Sequence, residues 1–433
     1  MPTTRTQIRV SPARACAFRV VRRVFEQDAY ADRALAAEAD GLEPRDRALA
    51  MALAYGTVQR RATLDHVAAR LTDRPLHRLD PPVLAALRLG LFELLYLGGT
   101  AEHAAVSETV ELVKQARPHA VGLVNAVLRR ATREGAAMLE DLDDDTTQSA
   151  AIRHSVPEWI VSRWWSELGP DETRALLRVV NEPAESALRA NSLVAPVAQV
   201  VAELPVPSRA APGLPEGLVL EGPFDVQGSE LWRSGAVQPQ SRASMLVSRM
   251  LGPRPGERVL DLCAAPGGKT THLAALMDDA GEVVAVERHP GRARALERTV
   301  ARMKASCVRV EVGDAAARRS DGPFDRILVD PPCSGLGTLQ SRPDLRWRAR
   351  PDAIGELAAL QGRILDAGAA ALAPGGTLVY SVCTISRAES QDVIAGFLRE
   401  HGDFRLEEHV RLLPHRDGTD GFFIARLCRA SAA

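Results

Sequence analysis

The chain has 433 residues, 46% of them hydrophobic and 25% charged, with a net charge of −1. That length exceeds one ordinary domain, and the composition is that of a globular protein rather than a disordered or fibrous one. No run of about 18 apolar residues exists, so no membrane span is predicted, and with near-neutral charge a nucleic acid, if one is bound, must be met by a local patch.

The first residues lack an apolar signal core. Six scattered cysteines (Cys16, Cys263, Cys307, Cys333, Cys383, Cys428) include no C-x-x-C pair. This usage suits a reducing cytoplasm, and neither zinc nor another metal is expected.

Residues 1–138 carry helical spacing throughout. Helices are predicted over 13–27, 47–55, 64–71, 82–96, 105–116 and 122–133, punctuated by Pro81-Pro82 and Gly98-Gly99. The first is rich in arginine (Arg14, Arg19, Arg22, Arg23), a face suited equally to a phosphate backbone and to plain solvation. An acidic hinge at 139–145 follows. Residues 150–235 then read as a small α+β subdomain that presents RNA to the rest, with a Pro- and Gly-rich loop over 196–222. Its tryptophans Trp159, Trp164 and Trp165 read as core rather than as base-stacking platforms.

Over 236–433 strands alternate with helices, the pattern of a doubly wound α/β sheet. Strands are predicted at 258–262, 283–287, 307–312, 325–330 and 376–382. Helices are predicted at 268–278, 290–303, 353–372 and 387–400, with a closing β pair at 404–412 and 421–427. Ligands of such sheets bind beyond the carboxyl ends of the strands.

The first of these strands runs into Cys263-Ala264-Ala265-Pro266-Gly267-Gly268-Lys269. A strand that stops in glycines and opens a helix leaves backbone N–H groups free at a positive dipole end. Cys263 stands where a phosphate-binding loop needs its first glycine, and G-x-G-x-x-G is absent. The turn suits instead the aminocarboxylate tail of S-adenosylmethionine. Glu287, at the next strand end, is placed for the hydroxyls of a ribose, and Asp314 for an adenine amine. Each acid could instead cap its own turn; three acids on successive strands, Asp261, Glu287 and Asp314, favour the cofactor.

Two further strands end in Asp330-Pro-Pro-Cys333 and Ser381-Val-Cys383. Methylating nitrogen needs no thiol. Carbon 5 of a pyrimidine is a poor nucleophile until a thiolate adds at carbon 6, after which the C5 proton must leave and the thiol must be expelled. Ser386-Arg-Ala-Glu389 is a capping-box pattern, so a helix is predicted to start beside Cys383 and to favour its thiolate. Cys383 is therefore read as the nucleophile, and Cys333 as the group for proton removal or release. Asp330 is read as the contact to N3 and the amine of cytosine, with Lys269 holding either Asp330 or the cofactor carboxylate. Arg342, Arg346, Trp347 and Arg348 read as a backbone-gripping, base-stacking strip for an unpaired RNA loop.

The segments Ala54-Tyr-Gly-Thr-Val58, Leu87-Arg-Leu-Gly-Leu-Phe-Glu-Leu94 and Gly122-Leu-Val-Asn-Ala-Val-Leu-Arg129 resemble the NusB-like RNA-binding domain. The motifs of residues 150–433, with Asp420-Gly-Phe-Phe423, resemble the RNA cytosine-C5 methyltransferases of the NOL1/NOP2/Sun family. The resemblance implies a Rossmann-like fold, S-adenosylmethionine bound by 263–269 with Glu287, Asp314 and Asp330, nucleophilic Cys383, and Cys333 assisting release. Together the two imply 5-methylcytidine formation in 16S rRNA by a cytoplasmic protein, expected to act as a monomer. Glu287 stands where the family has Asp, Val382 where it has Thr, and Ser241 where it has Asp. The rivals are a catalytically weak ribosome-assembly factor and an enzyme acting on tRNA or DNA. In the DNA enzymes the thiol matching Cys333 attacks.

Overall fold

The computed structural model describes residues 10–99 and 101–431. The first residues, where no signal core is expected, lie mostly outside that range. The chain divides into two compact units, Met1–Glu182 with Leu339–Ala349, and Pro183–Thr338 with Arg350–Ala433.

The first unit is helical: α1 (Pro12–Glu26), α2 (Ala31–Glu38), α3 (Pro44–Gln59), α4 (Arg61–Leu71), α5 (Pro81–Tyr96), α6 (Glu102–Ala116), α7 (Val121–Glu140), α8 (Thr147–His154), α9 (Glu158–Leu168) and α10 (Pro170–Val179). Proline in the first turn of α1, α3 and α5 starts each with a preset φ at a place where no N–H is missed. Helix α5 is buried along most of its length and forms the centre of the unit. A methyl group on Gly56 would stand 1.9 Å from Cζ of Phe92, so only glycine lets the α3 backbone approach that ring.

Helix α2 falls between the anticipated helices, and α7 extends through Glu140 into the expected acidic hinge. Helices α8–α10 also belong to this unit. Thr63 Oγ1 on α4 donates to Ile152 O at 2.6 Å, and Ala62 N donates to Ser155 Oγ at 2.9 Å. Of the expected subdomain at 150–235, helices α8–α10 group with the first unit and the residues from Pro183 onward with the second.

The arginine face of α1 is fully paired. Arg14 is buried against Glu93 and Glu108, Arg19 and Arg23 bind Glu38, and Arg22 binds Glu26. Of the two readings of this face, solvation is the nearer: Arg14 is buried, but Arg19, Arg22 and Arg23 hold their ion pairs at the exposed surface.

The second unit opens with an antiparallel sheet, order β2-β3-β1-β4, built from β1 (Ala187–Ala190), β2 (Ser208–Ala211), β3 (Leu214–Leu220) and β4 (Val237–Pro239), with α11 (Val197–Glu203) and α12 (Glu230–Arg233). Next come α13 (Arg242–Leu251), β5 (Arg258–Leu262), α14 (Gly268–Leu276), β6 (Glu282–Glu287), α15 (Pro290–Arg302), β7 (Val308–Val312) and β8 (Phe324–Val329). After α16 (Leu345–Arg348), which belongs to the first unit, follow α17 (Ala353–Ala371), β9 (Leu372–Val382), α18 (Gln391–Glu400), β10 (Phe404–Leu412), α19 (Pro414–Asp417) and β11 (Phe422–Arg429).

Strands β5–β11 form one sheet, order β10-β11-β9-β8-β5-β6-β7. β5 to β9 run parallel, and β11 and β10 close the edge antiparallel. The apolar runs of β5, β6 and β8 are buried, as a parallel sheet covered by helices requires. This is the doubly wound, Rossmann-like arrangement expected from the sequence, and it brings the carboxyl ends of β5, β6, β8 and β9 to one edge. Among the described residues no helix is long and apolar enough to cross a membrane.

Candidate active site

At the end of β5 the chain turns sharply. Cys263 has φ +69° and Gly267 has φ +104°. A Cβ on Gly267 would also lie 2.7 Å from Leu296 Cδ1, so position 267 demands glycine for both conformation and space. Helix α14 starts at Gly268, leaving its first-turn N–H groups without intrahelical acceptors. Thr270 Oγ1 donates to Asp261 Oδ2 at 2.6 Å, while Asp261 Oδ1 is buried with no partner among the described residues. Burial pushes the Asp261 carboxyl up to about 7, and the charge of Asp330 adds to that. Burial likewise pushes the Cys263 thiol up to about 12, so position 263 contributes backbone rather than a thiolate.

A ligand with an aminocarboxylate end fits this turn. One buried carboxylate oxygen awaits a donor, and a methyl-sized group beside Gly268 would meet nothing nearer than the Gln240 side chain at 3.9 Å. Glu287, at the end of β6, is buried; Oε1 accepts from His289 N at 2.8 Å and Oε2 lies 3.4 Å from Arg292 Nε. Arg292 in turn donates to Ala265 O at 2.8 Å and so ties this acid to the turn. Asp314 is exposed beyond β7 and caps its own turn through Ala316 N at 3.0 Å. Both acids therefore make the turn-capping bonds considered above.

The two strand-end cysteines face each other. Cys333 Sγ and Cys383 Sγ are 3.3 Å apart. Cys333 is pushed well above the ordinary thiol range, chiefly by its hydrogen bond to Cys383, then by burial and by the charges of Cys383 and Glu389. Cys333 is therefore held protonated. Asp330 is gripped on both oxygens, by Lys269 Nζ at 2.8 Å and by Ser381 Oγ at 2.7 Å. Burial opposes the charge of Lys269, yet Asp330 and the Cys383 sulfur raise its pKa. Asp330 is one of the two partners open to Lys269.

Two expectations change. The capping box beside Cys383 does not form, and Ser386 Oγ is buried with no hydrogen-bond partner among the described residues. Arg387–Glu389 is a single 3-10 turn, and α18 begins only at Gln391. The cation whose charge acts on the Cys383 sulfur is the Lys269 ammonium, not a helix end.

The arginine strip is not a surface strip either. Arg346 is fully buried and bonds to five acceptors, Gln59 O, Ser155 O, Asn181 Oδ1, Val180 O and Leu339 O. Trp347 is half-buried; its Nε1 donates to Val58 O at 2.7 Å and Arg61 lies over its ring. Arg348 is tied to Asp28 and stacks on Tyr30, whereas Arg342 is exposed. These side chains fasten 339–349 into the helical unit. Of the tryptophans expected in the core, Trp164 is fully buried, while Trp159 and Trp165 are half-buried.

Reasoning from the sequence missed Ser381, Gln361 and Ser334, and it misassigned Glu389. Ser381 had a signal: it lies two residues before Cys383 on a strand, hence on the same face.

Residues 248–428 match the family described as 16S rRNA methyltransferase RsmB/F, residues 11–133 the NusB family, and residues 156–227 the ferredoxin-like domain of RsmF/B-like methyltransferases. The chain is 36% identical to a protein of Synechocystis named "Probable ribosomal RNA small subunit methyltransferase B", over 96% of this chain and 99% of that one. It is 34% identical to ribosomal RNA small subunit methyltransferase B of Pseudomonas putida, over 97% and 99% of the two chains. The crystal structure of PH0851 superposes with a TM-score of 0.83 at 28% identity, covering 97% of this chain and 99% of that one.

Proposed function

The chain belongs to the 16S rRNA methyltransferase RsmB/F family, and from that premise we propose that it methylates carbon 5 of a cytidine in 16S rRNA through a covalent cysteine adduct. The family is S-adenosylmethionine-dependent; the donor, held by 263–269 with Glu287, Asp314 and Asp330, supplies an electrophilic methyl group. The observation that carries the reading is the pair of thiols 3.3 Å apart. Transfer to nitrogen or oxygen has no use for two sulfurs at one point, whereas addition to and elimination from a pyrimidine has a use for each.

Cys383, with the Lys269 ammonium near it, attacks C6 and forms the S–C6 bond, making C5 nucleophilic. Asp330 contacts N3 and the exocyclic amine, with Lys269 Nζ at 2.8 Å as an adjacent proton donor. After methyl transfer a water molecule takes the C5 proton, the C5–H electron pair becomes the C5–C6 double bond, and the S–C6 electron pair returns to Cys383. Cys333 assists that release. The target is an unpaired nucleotide, because C6 is unreachable within a stack; Arg342 remains a candidate for RNA contact.

Bisulfite mapping of 16S rRNA from cells lacking the protein tests this. One cytidine should lose protection and regain it when the purified protein and S-adenosylmethionine are added to that RNA. Loss of protection in tRNA alone would overturn the substrate assignment.

A further inference from the structure

A buried carboxylate stands between the two cysteine-bearing loops. Glu389 has no exposure. Its Oε1 accepts from Ser334 N at 2.7 Å and Gln361 Nε2 at 3.2 Å; its Oε2 accepts from Ser334 Oγ at 2.5 Å and Thr384 Oγ1 at 3.3 Å. Ser334 immediately follows Cys333, and Thr384 immediately follows Cys383. Gln361 also donates to Pro332 O at 2.9 Å, so Cys333 is fastened on both sides. The Tyr380 hydroxyl donates to the Glu389 carbonyl at 2.6 Å and holds the acid's own backbone. Among the described residues the four donors to the carboxylate are neutral. A buried carboxylate without a cation is costly, and it is retained where its bonds are needed.

We propose that Glu389 is a positioning residue: its carboxylate clasps the loop of Cys333 to the loop of Cys383 and so sets the distance between the thiols. The two sulfurs depend on it unequally. Cys383 directly follows a paired strand, where Val382 lies opposite Phe423, whereas Cys333 rides on a loop tied to Glu389 and Gln361 and, through the 2.8 Å Ser334 Oγ–Thr384 Oγ1 contact and the Gly337 N to Cys383 O bond at 3.0 Å, to the Cys383 loop itself. Loss of the carboxylate therefore displaces Cys333 first and leaves the attack by Cys383 in place. The step that suffers is release.

The role in release rests on the covalent mechanism proposed above; the clasp itself does not. Glu389→Ala should carry out the first methyl transfer yet accumulate protein–RNA adduct, with multiple turnover reduced about 100-fold, the cost of a misplacement near 1 Å. Glu389→Gln keeps an oxygen for Ser334 N and should recover part of that turnover. An RNA-free readout uses phenylarsine oxide, which bridges two neighbouring thiols by forming two S–As bonds with loss of one water. Its affinity for the full chain should fall at least about tenfold in Glu389→Ala, as one sulfur leaves chelating distance. Turnover and arsenical affinity equal to wild type would overturn the proposal. So would equal losses of first-turnover methylation, S-adenosylmethionine binding and melting temperature, the pattern of a merely structural residue. If wild-type protein forms no Cys383-dependent adduct on RNA carrying 5-fluorocytidine, the covalent reading fails, and the arsenical comparison still decides whether Glu389 clasps the loops.

Discussion

Cys383 and Cys333 differ by their surroundings rather than by their chemistry. Cys333 is kept protonated by its hydrogen bond to Cys383 and by burial, while the other sulfur lies near Lys269. Cys383→Ala should abolish methyl transfer, and Cys333→Ala should leave protein attached to RNA on a denaturing gel; the opposite pattern would reverse the roles. Asp261 makes a second prediction. Burial raises its carboxyl from 3.8 to about 7, so between those values the folded chain keeps a proton that the unfolded chain has released. Its contribution to stability therefore declines as pH rises from about 4 to about 7 and is level above that. Asp261→Asn, whose amide oxygen still accepts from Thr270, should show a flatter denaturant midpoint against pH than wild type across that window. The placement of single residues was legible where a motif fixed them: Gly267 takes a positive φ at the turn, and Cys333 lies against Cys383. Two departures from the family lose their force in three dimensions. Val382 is fully buried and points to the opposite face of β9 from Cys383, and Ser241 caps α13 through Ser244 N as an Asp would.

Secondary structure was read well wherever hydrophobic periodicity decided it, and less well wherever a distant side chain did. The pattern Ser386-x-x-Glu389 is a sound local signal for a helix start, but the acid is taken by Ser334, 55 residues away in sequence. The arginine strip failed for the same reason. Arg346 finds its acceptors as far off as Gln59, a sequence separation of 287, and no local pattern distinguishes such a staple from an exposed RNA grip. Arg346→Ala should destabilise the protein by about 3 kcal/mol or more, because it strands several buried acceptors that a charged donor had satisfied. Equilibrium urea unfolding of the full chain measures this. An unchanged midpoint accompanied by weakened RNA binding would instead restore the surface reading of 339–349.

For the whole molecule, the strand–helix alternation of 236–433 announced the sheet, because a buried parallel strand is apolar in every register. The division between units was not legible, since helices α8–α10 look alike whichever neighbour they join. Two units of different architecture should melt as separate transitions. S-adenosylmethionine at a hundredfold its Kd should stabilise the unit that contains β5–β11 by about 2.7 kcal/mol and leave the helical transition in place. Scanning calorimetry with and without the cofactor distinguishes this from a single joint shift. The helical unit is not contiguous in the chain, because Leu339–Ala349 completes it. A fragment ending at residue 182 should therefore be less stable than the same unit in the full chain, lacking Arg346 and Trp347. Biosynthesis meets the same shortage. A ribosome adding about 5–20 residues per second delivers the missing piece roughly 8–30 s after Glu182. Throughout that interval the nascent front of the protein must wait, with the seat of one indole and one guanidinium still vacant, for its own last part.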